Sequence, residues 1–315
     1  MATVLITGGT GLIGNALTEE LVKKNYDVII LTRDSSKANK REKVSYAEWD
    51  LNKGTIDKEA IANADYIIHL AGANVADKRW TAERKNEIRD SRIKSGHLIV
   101  KALTEIPNKV KAVLSSSAIG WYGPDPQIPN PQPFIETDPV SDDFLGATCK
   151  QWEDAIQPVT NLGKRLIIFR TGIVLSSKGG AYAEFKKPLN FKLATIMGSG
   201  KQIVSWIHID DIVGLYLHGL QNETWNGVYN AVAPHPVSNK DLVKTMAAYS
   251  GMHLTIPAPE WALKLALGEM SIEVLKSATV NADKVMGEGY HFLYPSIKKA
   301  VENLKASPVR RLLII

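Results

Sequence analysis

The run VLITGGTGLIG near the N-terminus constrains the fold more than any other stretch of this 315-residue chain. It sets Gly8, Gly11 and Gly14 at GxxGxxG spacing, directly after a strand-like run and directly before a helix-like one. A side chain at such a turn would keep the backbone away from a pyrophosphate. The third glycine lets helix and strand pack closely, and the helix N-terminus adds N–H groups and a positive dipole end. Gly8, Thr10, Gly11, Leu12, Ile13 and Gly14 are therefore expected to cradle a dinucleotide, a tight turn without ligand being the competing reading.

Short apolar runs rich in Val and Ile, at residues 3–7, 27–32, 44–49, 66–70, 109–115 and 165–170, suit strands buried on both faces. Helical patterns at about 12–24, 82–104 and 143–161 separate them. That alternation predicts βαβ units, right-handed crossovers and an α/β fold with a Rossmann-type doubly wound parallel sheet over residues 1–170. Beyond residue 171 it gives way to Gly- and Pro-rich connections: SSKGG, MGSGK, NAVAPHPVSN and TIPAPEW. Residues 171–305 are expected to form a smaller mixed substrate lobe and C-terminal extension, exchanging elements with the first domain, with helical segments at 259–268 and 295–304. Residues 306–315 read as a tail.

Apolar residues make up 44% and charged residues 23%, which are globular values. Cys149 is the single cysteine, so an intramolecular disulfide and a cysteine zinc site are excluded. No metal is expected, and a reducing compartment fits. The start MATVLITGG shows no basic n-region or cleavage site, and no run of 18 apolar residues occurs. A soluble, cytoplasmic protein without signal peptide or membrane span is the expectation. The net charge of +5 comes from basic residues scattered among acidic ones, which speaks for a mixed-charge surface and against a nucleic-acid partner.

The second strand ends in DVIILTR. An NAD site would place Asp or Glu there to hold the adenosine ribose hydroxyls. Thr32 stands in that place, followed by Arg33, whose guanidinium can grip a 2′-phosphate. NADP (as NADPH) is accordingly favoured, with Asp34 next in line as the contrary signal. Asp50, closing the third strand, either meets the adenine amine or caps a helix. In HLAGANV, Leu70, Ala71 and Gly72 are small or apolar where the backbone passes the cofactor's ribose and nicotinamide portion. Glu87 and Arg92 in KNEIRDSRIKSGHL either hold the cofactor's ribose hydroxyls and phosphate or form an exposed helix pair.

Taken together, TGGTGLIG, Asp50-Leu51, HLAG, SSSAIGWYG at residues 115–123 and RTGIVL at 170–175 resemble the extended short-chain dehydrogenase/reductase superfamily, in its NAD-dependent epimerase/dehydratase branch. The chain is more similar still to an atypical branch, the YfcH-like nucleoside-diphosphate-sugar epimerase proteins. Residues 89–92 match their RxSR motif, residues 198–210 GSGxQxxSWIHxxD and residues 230–239 NxVAPxPVxN. LGEM at 267–270 and GYxFxYP at 289–295 complete the match, which spans residues 3–304. The resemblance implies the Rossmann fold, NADP and a small-molecule substrate such as a nucleotide sugar. It also implies backbone contacts from Val174 beside the nicotinamide amide and, by analogy, a homodimer through the long helices.

In that family a Tyr-x-x-x-Lys helix follows the serine strand, and the tyrosine exchanges the proton. Here the helix aligned on Glu153 puts Leu145 at the tyrosine position and Cys149 at the lysine position. Sliding the register to use Lys150 brings Gly146 to the tyrosine position, and no tyrosine lies between Tyr122 and Tyr182. Ser117 matches the family's catalytic serine. Tyr122 is an alternative acid or a packing residue. His208 in SWIHIDD is a site residue or a core histidine, and Asp210 or Asp211 is expected to cap a helix beginning at Ile212. Trp121, Trp206 and Lys201 are candidates to line the substrate site. The readings that follow are an NADP-dependent oxidoreductase or epimerase-like enzyme and, as the alternative, a non-catalytic NADP(H)-binding sensor or regulator.

Overall fold

The computed structural model describes residues 1–36, 41–251 and 253–306; the tail SPVRRLLII lies outside the described residues. Two compact units divide the chain. One comprises residues 1–123, 139–171 and 212–229, the other residues 124–138, 172–211 and 230 onward, so the two interleave along the sequence.

The first unit contains β1 (Thr3–Thr7), α1 (Leu12–Lys23), β2 (Asp27–Thr32), β3 (Val44–Asp50), β4 (Thr55–Ile56), α2 (Lys58–Asn63), β5 (Tyr66–His69), α3 (Ala82–Glu105), β6 (Ala112–Ala118), α4 (Phe144–Ile156) and β7 (Arg165–Thr171). Its sheet runs β7-β6-β5-β1-β2-β3-β4. From β3 to β7 the pairings are parallel, and β4 adds an antiparallel edge. The order reverses between β2 and β5 on either side of β1, which is the switch point where α/β sheets bind ligands. Val4, Leu5 and Ile6 are all fully buried, as expected of a strand covered on both faces. On one face Leu5, Leu31, Ile67, Val113 and Ile168 pack against Ile61 of α2 and Leu98, Ile99, Ala102 and Leu103 of α3.

β6 and α4 depart from the sequence reading. β6 extends to Ala118 because Ser115, Ser116 and Ser117 pair with Ile168, Phe169 and Arg170 of β7, and ladder pairing overrides the weak strand preference of a serine run. α4 stops at Ile156 and passes into a 3-10 turn, Gln157–Leu162, with Pro158 at its start, since proline has no N–H to continue the α-helical ladder.

Further along the chain come β8 (Ile173–Leu175), α5 (Ala181–Asn190), β9 (Leu193–Met197), β10 (Ile203–Val204), β11 (Trp206–His208), α6 (Ile209–Gln221), β12 (Gly227–Ala231), β13 (Val237–Ser238), α7 (Asn239–Ala248), β14 (Leu254–Ala258), α8 (Glu260–Leu267), α9 (Ser271–Leu275), α10 (Asp283–Gly287) and α11 (Ile297–Lys305). β12 adds a strand to the large sheet next to β7. In the second unit β8 pairs with β11 and β9 with β14 in parallel, and β10 pairs with β13 antiparallel. Its core gathers Leu175, Tyr182, Trp206, Leu242, Met246 and Val301.

Candidate functional site

The glycine turn joins the end of β1 to α1. Gly8 has φ +71°, and a Cβ there would lie 3.0 Å from the Leu70 carbonyl carbon and oxygen. At Gly14 a Cβ would fall 2.4 Å from the Gly8 oxygen and 2.6 Å from the Gly9 Cα. Only glycine allows the first turn of α1 to sit this close to the loop. The Asn15 amide ties the turn down by donating to the Thr10 carbonyl at 2.7 Å and the Gly11 carbonyl at 3.0 Å. Gly11 caps α1 without a side-chain hydrogen bond, and the first turn carries no acidic residue. The leading N–H groups, on Leu12, Ile13 and Gly14, are therefore left to an anion, with the positive end of the helix dipole behind them. A pyrophosphate fits a cradle whose inner wall a single Cβ would fill.

At the end of β2, Thr32 Oγ1 and the Asp34 backbone exchange hydrogen bonds at 3.3 Å. Arg33 is exposed and makes no ion pair among the described residues. Asp50 Oδ1 accepts from the Asn52 and Lys53 amides at 2.8 and 3.2 Å. Those bonds, with Lys53's first, hold its carboxyl below the usual range. Asp50 thus shapes the turn after β3 and does not cap a helix.

After β5, the Leu70 and Ala71 amides both donate to Thr7 Oγ1 at 3.2 Å, and Thr7 lies 2.8 Å from His69 Nδ1. His69 Nε2 lies 3.3 Å from Ser95 Oγ, which donates to the Arg92 carbonyl. This chain of donors assigns the proton to Nε2 and leaves Nδ1 to accept from Thr7. It fixes the backbone at Leu70 and Ala71. Arg92 donates to the Ala73 and Ile88 carbonyls at 3.0 and 2.8 Å and stacks on Trp152. A Cβ on Gly72 would meet its guanidinium at 3.0 Å. Burial lowers the Arg92 pKa to about 10, so it stays charged at neutral pH. Glu87 does not join it. Its exposed carboxylate pairs at 2.5 Å with Arg84, a buried arginine that also donates to the Asn74 carbonyl and that the sequence reading passed over.

Ser117 and Tyr122 belong to one network around a buried ion pair. Arg170 donates from Nε to Glu153 Oε1 at 2.9 Å and from Nη2 to Oε2 at 3.0 Å. Ser117 Oγ donates to the same Oε1 at 2.6 Å, and Arg170 Nη1 reaches the Tyr122 hydroxyl at 3.2 Å. Trp121 lies under the guanidinium, its ring centroid 3.6 Å from Cζ. Tyr122 is fully buried, which makes it a packing and hydrogen-bonding residue of this network rather than an accessible acid. Ser117, its proton given to a carboxylate, keeps only acceptor capacity.

On the same face of α4, one and two turns before Glu153, stand Cys149 and Leu145. A Cβ on Gly120 would meet Leu145 Cβ at 3.1 Å and Cys149 Sγ at 3.6 Å, so both side chains abut the turn after β6. The Cys149 thiol donates to the Ala118 carbonyl. Burial, then the Glu153 charge, push its pKa up to about 12, so it keeps its proton. Lys150 points outward and pairs with Asp154 at 2.7 Å, which rules out the shifted register. The sequence signal for this network was Glu153 itself, a carboxylate on the apolar face of a helix that demands a buried partner.

In the second unit Trp206 is fully buried in the core, and its indole donates to the His235 carbonyl at 3.1 Å. That takes it off any substrate surface. His208 is also fully buried; its Nδ1 accepts from the Asp210 amide at 3.0 Å and its ring packs 3.9 Å from that of Tyr294, the core alternative. α6 begins at Ile209, not Ile212. Asp211, buried, accepts from the Leu293 and Tyr294 amides at 2.7 and 3.0 Å, so it anchors the GYHFLYP segment instead of capping. Val174, half-buried, pairs with Ile207. Lys201 is exposed on a shallow cleft of about 600 Å³ with Lys240 and Lys244. Among the described residues no group of three or more His, Cys, Asp or Glu is placed to hold a metal, and no helix is long and apolar enough to cross a membrane.

Comparison with known proteins bears on both halves of the chain. Residues 4–150 match the NAD dependent epimerase/dehydratase family, and residues 258–304 match a domain of unknown function. An epimerase family protein of Staphylococcus aureus (strain NCTC 8325) is 36% identical over 304 residues, covering 96% of this chain and 99% of the relative. Among solved structures, human epimerase family protein SDR39U1 (isoform 2), crystallised with NADPH, superposes with a TM-score of 0.85. It is 27% identical over 96% of this chain and 98% of its own. The UDP-glucuronic acid 4-epimerase of Bacillus cereus, in complex with UDP-glucuronic acid and NAD, shares the fold at a TM-score of 0.77 and 18% identity, covering 98% of this chain and 99% of its own.

Proposed function

The chain belongs to the epimerase family, and on that premise we propose that it binds NADP(H) through the first unit and acts as an oxidoreductase on a small polar metabolite, a nucleotide sugar being the leading class, without the tyrosine–lysine acid–base step. The observation that carries this reading is the cradle itself, in which Gly8 and Gly14 leave room that no side chain could leave. In it Gly8, Thr10, Gly11, Leu12, Ile13 and Gly14 hold the pyrophosphate, Arg33 meets the 2′-phosphate, and Leu70, Ala71 and Gly72 let the ribose and nicotinamide side approach. Once bound, the nicotinamide supplies the carbon that gives or takes a hydride.

The resident side chains limit the proton chemistry. Leu145 carries no proton to give, and Cys149 with its pKa near 12 does not release one at neutral pH. Ser117 can accept from a substrate hydroxyl but not polarise a carbonyl, so the accompanying proton comes from water. A preference for NADP(H) also suits net hydride exchange better than an epimerisation, which returns its hydride within each cycle. The single buried thiol suits a reducing compartment such as the cytoplasm.

A second reading, a non-catalytic NADP(H)-binding regulator, is favoured by the closure of Ser117 and Tyr122 on the Arg170–Glu153 pair. Titrating the nucleotide-free protein with NADPH and NADH by reduced-nicotinamide fluorescence, with Arg33→Ala alongside, tests the cofactor. Tight NADPH binding that drops to the NADH level in the variant is expected; equal affinities in the wild type would end the NADP assignment. A metabolite screen following nicotinamide absorbance then separates the readings. Turnover supports the oxidoreductase, whereas tight NADPH binding without turnover, and a cellular phenotype that survives Ser117→Ala with Tyr122→Phe but not Gly11→Val, supports the regulator.

A further inference from the structure

Two carboxylates stand where they would oppose an NADP site. Asp34 follows Arg33 in the turn after β2, and Glu48 lies on β3 directly across from Thr32. An acidic side chain at the end of β2 accepts hydrogen bonds from ribose hydroxyls and repels a 2′-phosphate, so either residue turned toward the cofactor would favour NAD. Each is instead bound by the next residues of the turn. Asp34 Oδ1 accepts from the Ser36 amide at 3.0 Å and the Ser36 hydroxyl at 2.5 Å. Glu48 Oε1 accepts from the Ser35 amide at 3.2 Å and the Ser35 hydroxyl at 2.7 Å.

Each carboxylate therefore has one oxygen engaged by two donors of a single residue, an arrangement that fixes the direction of a short side chain. The Thr32 hydroxyl, bonded to the Asp34 backbone, closes the same turn. Glu48 is held ionised by it: the Ser35 hydroxyl first, then the Ser35 amide, keep its carboxyl below the usual range. The charges are not removed; they are aimed into the turn. Arg33 is exposed and makes no ion pair among the described residues.

We propose that Ser35 and Ser36 are specificity-determining residues of the dinucleotide site, which act by holding the Glu48 and Asp34 carboxylates in the turn so that Arg33 faces the adenosine ribose. The proposal rests on the NADP(H) reading above. Its signature is a fall in the NADPH-to-NADH preference that removing the Asp34 charge reverses. Freed from Ser36, Asp34 reaches either the ribose hydroxyls, which tightens NADH, or the Arg33 guanidinium, which weakens NADPH.

The test measures dissociation constants for both nucleotides in wild type, Ser36→Ala, Ser36→Thr, Arg33→Ala and the double variant Ser36→Ala/Asp34→Asn. Ser36→Ala is expected to lower the NADPH-to-NADH preference about fivefold, the scale of one charge-assisted hydrogen bond at a partly exposed site, with NADH binding tighter than in wild type. Ser36→Thr keeps the hydroxyl and the preference. The double variant recovers the preference because the freed group no longer carries charge. If Ser36→Ala weakens NADPH but leaves NADH unchanged, and Asp34→Asn brings no recovery, the hydroxyl is a direct phosphate ligand and the proposal is overturned. A wild type without preference for NADPH ends the NADP reading and this inference together. A preference lost in Arg33→Ala but untouched in Ser36→Ala overturns the inference alone.

Discussion

His69 shows how much a single side chain can bind to one protonation state. Sealed between Thr7 and Ser95, it is fully buried, and burial, reinforced by the Arg92 charge, lowers its pKa to about 3. A histidine whose folded pKa lies below its unfolded value of 6.5 adds stability that is fully present above pH 6.5 and is lost as pH falls toward about 3. In that window the unfolded chain binds the extra proton. The contribution of His69 to the slope is about 1 kcal/mol per pH unit. Urea denaturation at a series of pH values between about 4 and 6.5 should show the His69→Gln variant losing stability less steeply than wild type; equal slopes would assign the acid sensitivity to other groups. None of this was legible from HLAG, where the histidine reads only as the end of an apolar strand. Its partners come from residues 62 positions before the ring and 26 after it.

Helix α4 carries Leu145 and Cys149 at the positions where the resemblance places a tyrosine and a lysine. Leu145, Cys149 and Glu153 recur at four-residue spacing and so share one face, which packs against the end of β6. The alignment on Glu153 identified that face from sequence alone, and the contact of Leu145 and Cys149 with the Gly120 turn places it there. What the spacing could not disclose is that Glu153 is spent on Arg170, a residue of β7. Restoring the missing dyad should therefore fail. Cys149→Lys would bury an ammonium near the Arg92 and Arg170 charges that already influence the thiol, with Glu153 already engaged. It is expected to lower the unfolding free energy by about 3 kcal/mol, the scale of an uncompensated buried charge. Leu145→Tyr, at a half-buried position, should cost less. Thermal melts of the two single variants and the double variant check this. A stable double variant with epimerase activity would mean that the network is a late ornament on an intact site.

For the whole molecule, the division into two units predicts how a dinucleotide acts on stability. If NADP(H) binds the first unit, NADPH at about 100 times its dissociation constant should raise the unfolding free energy of the transition containing that unit by about 2.7 kcal/mol, and Gly14→Val should abolish the shift. Calorimetry with and without NADPH measures it, and an unchanged profile in the wild type would remove the cofactor from the first unit. The doubly wound sheet, its glycine turn and the extent of α1 and α3 were written in local pattern: hydrophobic period, strand length and glycine spacing act over a few residues, and burial on both faces of β1 enforces them. Sequence alone also established what is missing, since no tyrosine lies between Tyr122 and Tyr182. The tertiary structure alone decided where polar side chains spend their hydrogen bonds. Trp206 and His208 went to the core, Tyr122 and Ser117 to the Arg170–Glu153 pair, and Asp211 to the GYHFLYP segment. Buried donors and acceptors must each find a partner, and most of those partners arrive from elsewhere in the chain, at distances no local pattern encodes.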